Sequence, residues 1–365
     1  MPSSKSFEVI IFGGGPAGAA AAITLARRGI RAAIIEHSNY SALRVGETLP
    51  PVIYKILTHL GVWQHFLEAR PIESISIRSA WGSAKAFDSD HIYNPYGSGW
   101  HIDRACFDRM LIKAASNVGA ILFTETHISN LSHDHLCGWE VTIQRNKCLD
   151  YLKAQFIIDA TGQRSAIPIG LFRSFRVVDR LIGIVRYSTQ LAKPYTLIEA
   201  EADGWWYSAP LPGDRLVVVH MTDADLLAGS DFNTSDYWNH KLVQAPLTFA
   251  RTGQQHFLTQ PKIVSAASLI RIPVCGTDWL AAGDACVAFD PLSGRGIYSA
   301  LKGGILAAEA VIAKFQGDNN AFTEYSERIN SQFSNYLHMR SAIYNKEQRW
   351  CHTTFWRRRQ SIVIT

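Results

Sequence analysis

The sequence contains no CxxC pair, no internal repeat and no low-complexity stretch, and its uninterrupted apolar runs are all too short to cross a bilayer. The first absence removes the usual zinc and thiol-redox motifs. The six cysteines, Cys106, Cys137, Cys148, Cys275, Cys286 and Cys351, suit neither a zinc site nor a compact disulfide framework by their spacing, and they read as reduced thiols. His133, Asp134 and His135 lie between two strand-like segments and read as a solvated hairpin, so no metal is expected. Charge of one sign is also scarce. Lys and Arg number 36 against 31 Asp and Glu, a net charge of +5, which gives no reason to expect nucleic acid or a membrane as partner. Residues 1–7 are polar and lack the apolar stretch of a signal peptide, so a cytoplasmic location is expected.

What is present suits two domains sharing a large core: 365 residues, 47% hydrophobic and 18% charged. Residues 7–12 form a buried strand, 16–28 an Ala-rich helix closed by Gly29, and 32–35 a second strand, together a βαβ unit. Residues 51–60, 63–69 and 104–118 read as helices, and 73–87 as an alternating strand. The middle changes character. Runs at 182–187, 195–200, 205–208 and 216–221, separated by Pro, Gly and Asp, predict an antiparallel sheet. A buried strand at 279–282 and long helices at 297–315 and 319–345 follow. The division expected is a discontinuous first domain (1–72, 100–178, 263–345), a sheet domain inserted into it (73–99, 179–262), and a basic aromatic tail (346–365).

Three separated pieces then carry the chemistry. Gly13, Gly15 and Gly18, with Pro16 and Ala17 between them, fit GxGxxG, where glycine allows a tight turn and close approach of backbone to a pyrophosphate at a helix N-terminus. Glu36, 23 residues after Gly13, ends the second strand and can accept bonds from ribose hydroxyls, while repelling a 2′-phosphate. The second piece is Asp159-Ala160-Thr161-Gly162-Gln163-Arg164-Ser165, directly after a buried strand, where the acid can bind ribityl hydroxyls. The third is Gly283-Asp284-Ala285, followed by Asp290-Pro291-Leu292-Ser293-Gly294-Arg295-Gly296-Ile297 and a helix. Its glycines put N–H groups where a reduced flavin gathers negative charge.

In this order and spacing the three motifs resemble the FAD-dependent hydroxylases typified by p-hydroxybenzoate hydroxylase and the flavin-dependent halogenases. The resemblance spans roughly residues 7–315. It implies an α/β fold: a Rossmann-like, glutathione-reductase-type FAD-binding domain, an inserted mainly antiparallel β-sheet substrate domain and C-terminal helices. It implies that Gly13, Gly15, Pro16, Ala17, Gly18, Glu36, Arg44, Arg104, Asp159, Gly162, Gly283, Asp284, Pro291, Gly294, Gly296 and Ile297 hold FAD. Arg104, opening a helix after His101-Ile102-Asp103, looks like the family's flavin-contacting arginine.

Val45-Gly46-Glu47-Thr48-Leu49-Pro50 resembles the GE(S/T)xxP segment of halogenase-like members. Halogenases also carry a lysine in the next strand and a WxWxIP sequence. Here that strand reads Arg78-Ser79-Ala80-Trp81-Gly82-Ser83 with Lys85 out of register, and the other segment reads Gly204-Trp205-Trp206-Tyr207-Ser208-Ala209-Pro210. The combination is closer to the maturation flavoproteins of lysine- or cysteine-tryptophylquinone oxidases. That resemblance implies oxygenation, with molecular oxygen, of a tryptophan in the precursor of a quinone-cofactor oxidase. With one dinucleotide fingerprint visible, NADH or NADPH would visit transiently, or a separate reductase would supply electrons.

Glu47 is the candidate acid or base, with a structural carboxylate as the alternative. Trp81, Trp205, Trp206 and Tyr207 are candidates for a substrate wall, with core packing as the alternative. In the tail, Trp350, Phe355, Trp356 and Arg357 to Arg359 fit either a helix packing its aromatics and solvating its arginines, or a docking element for a protein substrate. A halogenase or hydroxylase of a small aromatic is the second functional reading. A non-catalytic escort protein on the same fold is the third, and the intact second and third motifs argue against it.

Overall fold

A computed structural model describes residues 5–134, 138–163, 174–189, 192–227, 231, 234–253 and 257–360. The run Phe7-Glu8-Val9-Ile10-Ile11-Phe12 becomes the centre of a parallel sheet, buried on both faces, which is why it is nearly continuously apolar. Strand Lys5–Phe12 pairs in parallel with Ala32–Ile35 on one side and Cys148–Asp159 on the other. Ile121–Phe123 extends the sheet beyond Ala32–Ile35, and Trp279–Ala281 adds to the far half of Cys148–Asp159. The near half of that 12-residue strand pairs with the antiparallel hairpin His127–Asp134 and Gly138–Arg145. Helix Pro16–Ala26 crosses this sheet between Arg104–Asn117 and Gly296–Phe315. Gly296–Phe315 is long and apolar enough to cross a membrane, and ten of its residues are buried in the core instead.

The second sheet has seven strands in the order Lys262–Ser265, Leu181–Thr189, Arg215–Asp223, Gly204–Leu211, Tyr195–Glu201, Ser76–Ala80, Phe87–Asp90. All pairs are antiparallel except Tyr195–Glu201 with Ser76–Ala80. The single alternating strand expected over 73–87 is broken into three. Ile72–Ser74 joins a small sheet with Thr48–Leu49 and Gly99–His101, and Ser76–Ala80 joins the large one. The chain then turns at Gly82 (φ 73°), where a Cβ would meet the Lys346 carbonyl oxygen at 2.7 Å.

Period-two alternation gives this sheet two different faces. Ile184, Trp206, Leu216 and Val218 point to one face, under Trp238, Leu242 and Ala245 from Ser235–Val243 and the turn after it. Tyr187, Trp205, Ala209, Leu211, Val217 and Val219 point to the other, together with Tyr344, Phe355 and Trp356 and against Val45 and Leu292 of the first unit. Ala321–Tyr344 and Thr354–Gln360 bring those C-terminal aromatics across. The packed reading of the tail therefore describes its aromatics but not all of its arginines. Arg359 is 1% exposed, and its Nη2 donates to Asp223 at 2.6 Å.

Candidate functional site

The apolar helices Pro16–Ala26 and Gly296–Phe315 of the first unit both begin uncapped by side chains among the described residues. Their first N–H groups are therefore left for another acceptor, and the helix dipole makes that acceptor anionic. The glycines around them fall into two kinds. At Gly13 a Cβ would lie 2.4 Å from the Ala160 carbonyl oxygen, and at Gly18 it would lie 1.9 Å from that of Gly13, so both let backbone pack on backbone. At Gly15, Gly162, Gly294 and Gly296 a Cβ would meet nothing within 4 Å, so these line open space. Gly283 and Gly304 close around Ala17, whose carbonyl oxygen would be 2.0 Å from a Cβ at 304. An extended dinucleotide with a diphosphate at the first helix and an anionic ring edge at the second fits this cradle. Gly304 was not among the expected residues. The Gly-Gly pair inside an otherwise apolar helix was its available signal.

Glu36 is 3% exposed and fully engaged. Its Oε2 accepts from Gly14 N at 2.7 Å, and its Oε1 accepts from the amide and hydroxyl of Ser38. Burial raises its carboxyl, yet these bonds outweigh it and hold the group below the usual range. Arg44 lies 3.5 Å from Glu36 and 3.0 Å from Asp108. Arg104 donates to the same Asp108 at 3.2 Å and to the Val45 carbonyl at 2.6 Å. Asp108, wholly buried, is thus the hub that fixes both arginines. Sequence reasoning missed it, although its i,i+4 spacing from Arg104 on one helix was a signal.

Glu47 is also 3% exposed, and its carboxyl accepts from Gly46 N at 3.0 Å and the Tyr187 hydroxyl at 3.4 Å, with its own amide adding to them. Burial pushes its carboxyl up to about 7, against the Gly46 amide and Arg104. Tyr187 comes from the second sheet, so this bond spans the two units. Two further ties do the same: the Tyr207 hydroxyl with Thr48 Oγ1 at 2.7 Å, and Arg215 with Asp103 at 2.6 Å. Glu47, Arg44, Arg104, Tyr187 and Arg215 line one small pocket.

The second motif is held from within. Asp159 accepts from Thr161 Oγ1 at 2.6 Å and from Arg271 at 2.6 Å, with both charged groups about 2% exposed. Its carboxylate braces the Thr161–Gly162 turn from inside the protein. Arg164 and Ser165 of this motif lie outside the described residues. In the third motif, Asp284 is solvent-accessible, yet the protein packed around it pushes its carboxyl up to about 6, against Arg104. Asp290 anchors the loop that carries Pro291, Gly294, Gly296 and Ile297. Its Oδ1 accepts from Leu292 N, and its Oδ2 accepts from Tyr344 at 2.8 Å and Arg340 at 3.2 Å. This bracing by the C-terminal helix was not expected.

The expected aromatic wall separates. Trp205 is buried against Tyr344, to which its Nε1 donates at 3.2 Å, and Trp81 packs edge-on to Trp356 with centroids 5.1 Å apart. Trp206 faces the opposite way and stacks on His220 at 4.7 Å. These three are spent on packing, and Tyr207 alone reaches the Glu47–Thr48 segment.

A cradle of glycines and uncapped helices beside a buried strand-end carboxylate fits a dinucleotide cofactor. The chain belongs to the FAD binding domain family, whose model matches residues 6–330. It is an FAD-dependent oxidoreductase of that family. It is 27% identical to the putative FAD-dependent oxidoreductase LodB of Marinomonas mediterranea, over 98% of both chains. It is 23% identical to the 1H-pyrrole-2-carbonyl-[peptidyl-carrier protein] chlorinase of Pseudomonas fluorescens, over 94% of this chain and 84% of that one. Among solved structures, the myxobacterial chondrochloren halogenase CndH superposes with a TM-score of 0.90 at 21% identity, over 99% of this chain and 87% of that one. The peptidyl tryptophan dihydroxylase QhpG, essential for tryptophylquinone cofactor biogenesis, superposes at 0.80 with 22% identity, over 97% and 79%. These likenesses establish a shared fold.

Proposed function

We propose that this protein is an FAD-dependent monooxygenase that hydroxylates a tryptophan of a partner precursor polypeptide during biosynthesis of a protein-derived tryptophylquinone. The observation that carries the reading is the end-to-end match with LodB, 98% of each chain, where the halogenase relatives run longer. The fold shared with a peptidyl tryptophan dihydroxylase supports it. So does the strand Ser76–Ala80, which contains no lysine, while Lys85 lies exposed in the following turn.

In this reading Gly13, Gly15, Pro16, Ala17 and Gly18 hold the diphosphate, and Glu36, steadied by Arg44, takes the ribose. Arg104, Gly162, Gly283, Asp284, Pro291, Gly294, Gly296 and Ile297 surround the flavin. Bound FAD, once reduced, supplies the activation of molecular oxygen. Each turnover replaces an indole C–H by C–OH, sends the second oxygen atom to water, and takes two electrons from NADH, NADPH or a reductase. Glu47 receives the proton lost from the indole carbon. A carboxyl poised near 7 is present in both forms at neutral pH, which suits that task. Tyr207 and Thr48 help position the indole.

Co-expression with a candidate precursor, followed by intact-mass measurement, tests the proposal. Gain of oxygen on the precursor tryptophan is expected. The halogenase resemblance keeps one rival reading in view, and a chlorinated free indole without precursor oxidation would replace ours with it.

A further inference from the structure

Tyr40 belongs to none of the three cofactor motifs, yet its side chain reaches the glycine loop. It is 3% exposed, and its backbone lies in the left-handed region at φ 60°, which a residue with a side chain adopts only at a cost. Such a cost is borne where the surrounding structure needs a side chain in one place. Here that place is the carbonyl oxygen of Gly14, to which the Tyr40 hydroxyl donates at 3.0 Å in a buried bond. Burial, and then the carboxylates of Glu36 and Asp108, push the phenol above its ordinary value, so it stays protonated and remains a donor. The Arg44 guanidinium lies 5.3 Å from the centre of the ring, and Arg109 donates to the Tyr40 carbonyl at 3.4 Å, so the residue is held at both ring and backbone.

The bond also sets the direction of the next N–H. A trans peptide points its C=O and its N–H in opposite directions. With the Gly14 carbonyl turned towards Tyr40, the Gly15 N–H is turned away from it. The preceding peptide is held as well, because the Gly14 N–H donates to Glu36 at 2.7 Å. Two successive peptides are thus clamped from the protein side, one by its N–H and one by its C=O. The Gly15 N–H has no partner among the described residues, and a Cβ on Gly15 would meet nothing within 4 Å. Pro16, the next residue, has no N–H to offer. The Gly15 amide is therefore a fixed donor facing open space at the start of helix Pro16–Ala26, where an anion is favoured.

We propose that Tyr40 is a positioning residue for the cofactor: by holding the Gly14 carbonyl, it aims the Gly15 N–H at a phosphate oxygen of the FAD diphosphate. The inference rests on the reading above that the glycine loop holds that diphosphate, and not on which substrate is oxidised. Tyr40→Phe keeps the ring and deletes the hydroxyl. The test is NMR of the FAD-loaded protein carrying isotope-labelled glycine, with the FAD Kd measured by fluorescence titration. In wild type the Gly15 amide should show through-bond coupling to phosphorus of the cofactor. In Tyr40→Phe that coupling should disappear and the Kd should rise about fivefold or more, as loss of one supporting hydrogen bond implies, while circular dichroism stays unchanged. A Kd within about twofold of wild type overturns the proposal. So does a weaker Kd with the Gly15–phosphorus coupling intact, which would make Tyr40 a merely structural residue. Absence of the coupling in wild type sinks the placement of the diphosphate together with the proposal, whereas coupling present in both proteins sinks the role of Tyr40 alone.

Discussion

Glu36 and Glu47 are equally hidden, each 3% exposed, yet their carboxyls move in opposite directions. Burial acts on both and raises both. Two things differ: more protein surrounds Glu47, and the donors to Glu36 are shorter and stronger. Glu36 ends a strand beside a glycine loop and an Asx-like turn, and it collects two amides, a hydroxyl and the edge of Arg44. Glu47 has the Gly46 amide, its own amide and one long bond from Tyr187. The charge of a buried carboxyl is therefore decided by the depth of protein around it set against the supply of N–H and O–H groups. The first glutamate is fixed as an anion that organises a loop, and the second is left free to exchange a proton.

The largest expected effect separates the two by activity. Glu47→Gln keeps the shape and removes the exchangeable proton. Tryptophan oxidation should fall by roughly 10²–10⁴-fold, the usual contribution of one general acid or base, with FAD still bound. Single-turnover product formation by mass spectrometry checks this. A fall of less than threefold would make Glu47 a structural carboxylate and erase the functional half of the comparison.

Next in size is Glu36→Ala. It leaves the Gly14 amide, the Ser38 groups and Arg44 without their shared acceptor inside the protein. Stranding such donors costs about 3 kcal/mol of stability. FAD affinity should drop at least tenfold along with it, measured by urea unfolding and by fluorescence titration. The stability loss should be much smaller in Glu47→Gln.

The sequence exposed the Glu36 half of this comparison and hid most of the other half. GxGxxG and the acid after the second strand obey a short-range spacing code, because one turn and one helix N-terminus set the geometry. The parallel strands were legible for a similar reason, since burial on both faces leaves continuous apolar runs. Asp108 with Arg44, Tyr187 with Glu47 and Arg340 with Asp290 are 64, 140 and 50 residues apart, and no local pattern encodes such meetings. The aromatic wall is a different kind of miss. Trp205 and Trp206 are neighbours in a strand, so they must point to opposite faces, and alternation alone excludes both from one pocket. The ion pair of Asp159 with Arg271, 112 residues on, is hidden from the sequence in the same way as the other long-range pairs.

The smallest expected effect concerns pH, and here the two glutamates pull against each other. Glu47 has a carboxyl raised to about 7 in the folded protein, so the native state holds that proton more tightly than the unfolded chain does. Its contribution to stability is complete below the unfolded value near 4.5 and is lost as pH rises through 7. Glu36 has a lowered carboxyl, so its contribution is present above the unfolded value and lost only in acid. Of the two glutamates only Glu47 titrates between pH 5 and 8, and over that window wild type should lose roughly 2 kcal/mol relative to Glu47→Gln. Urea unfolding of both proteins at the two pH values measures this difference directly, because every other titrating group is common to the pair. A difference that stayed flat would mean that Glu47 remains ionised throughout, which would give it the same character as Glu36 and remove the contrast on which its role as proton acceptor depends.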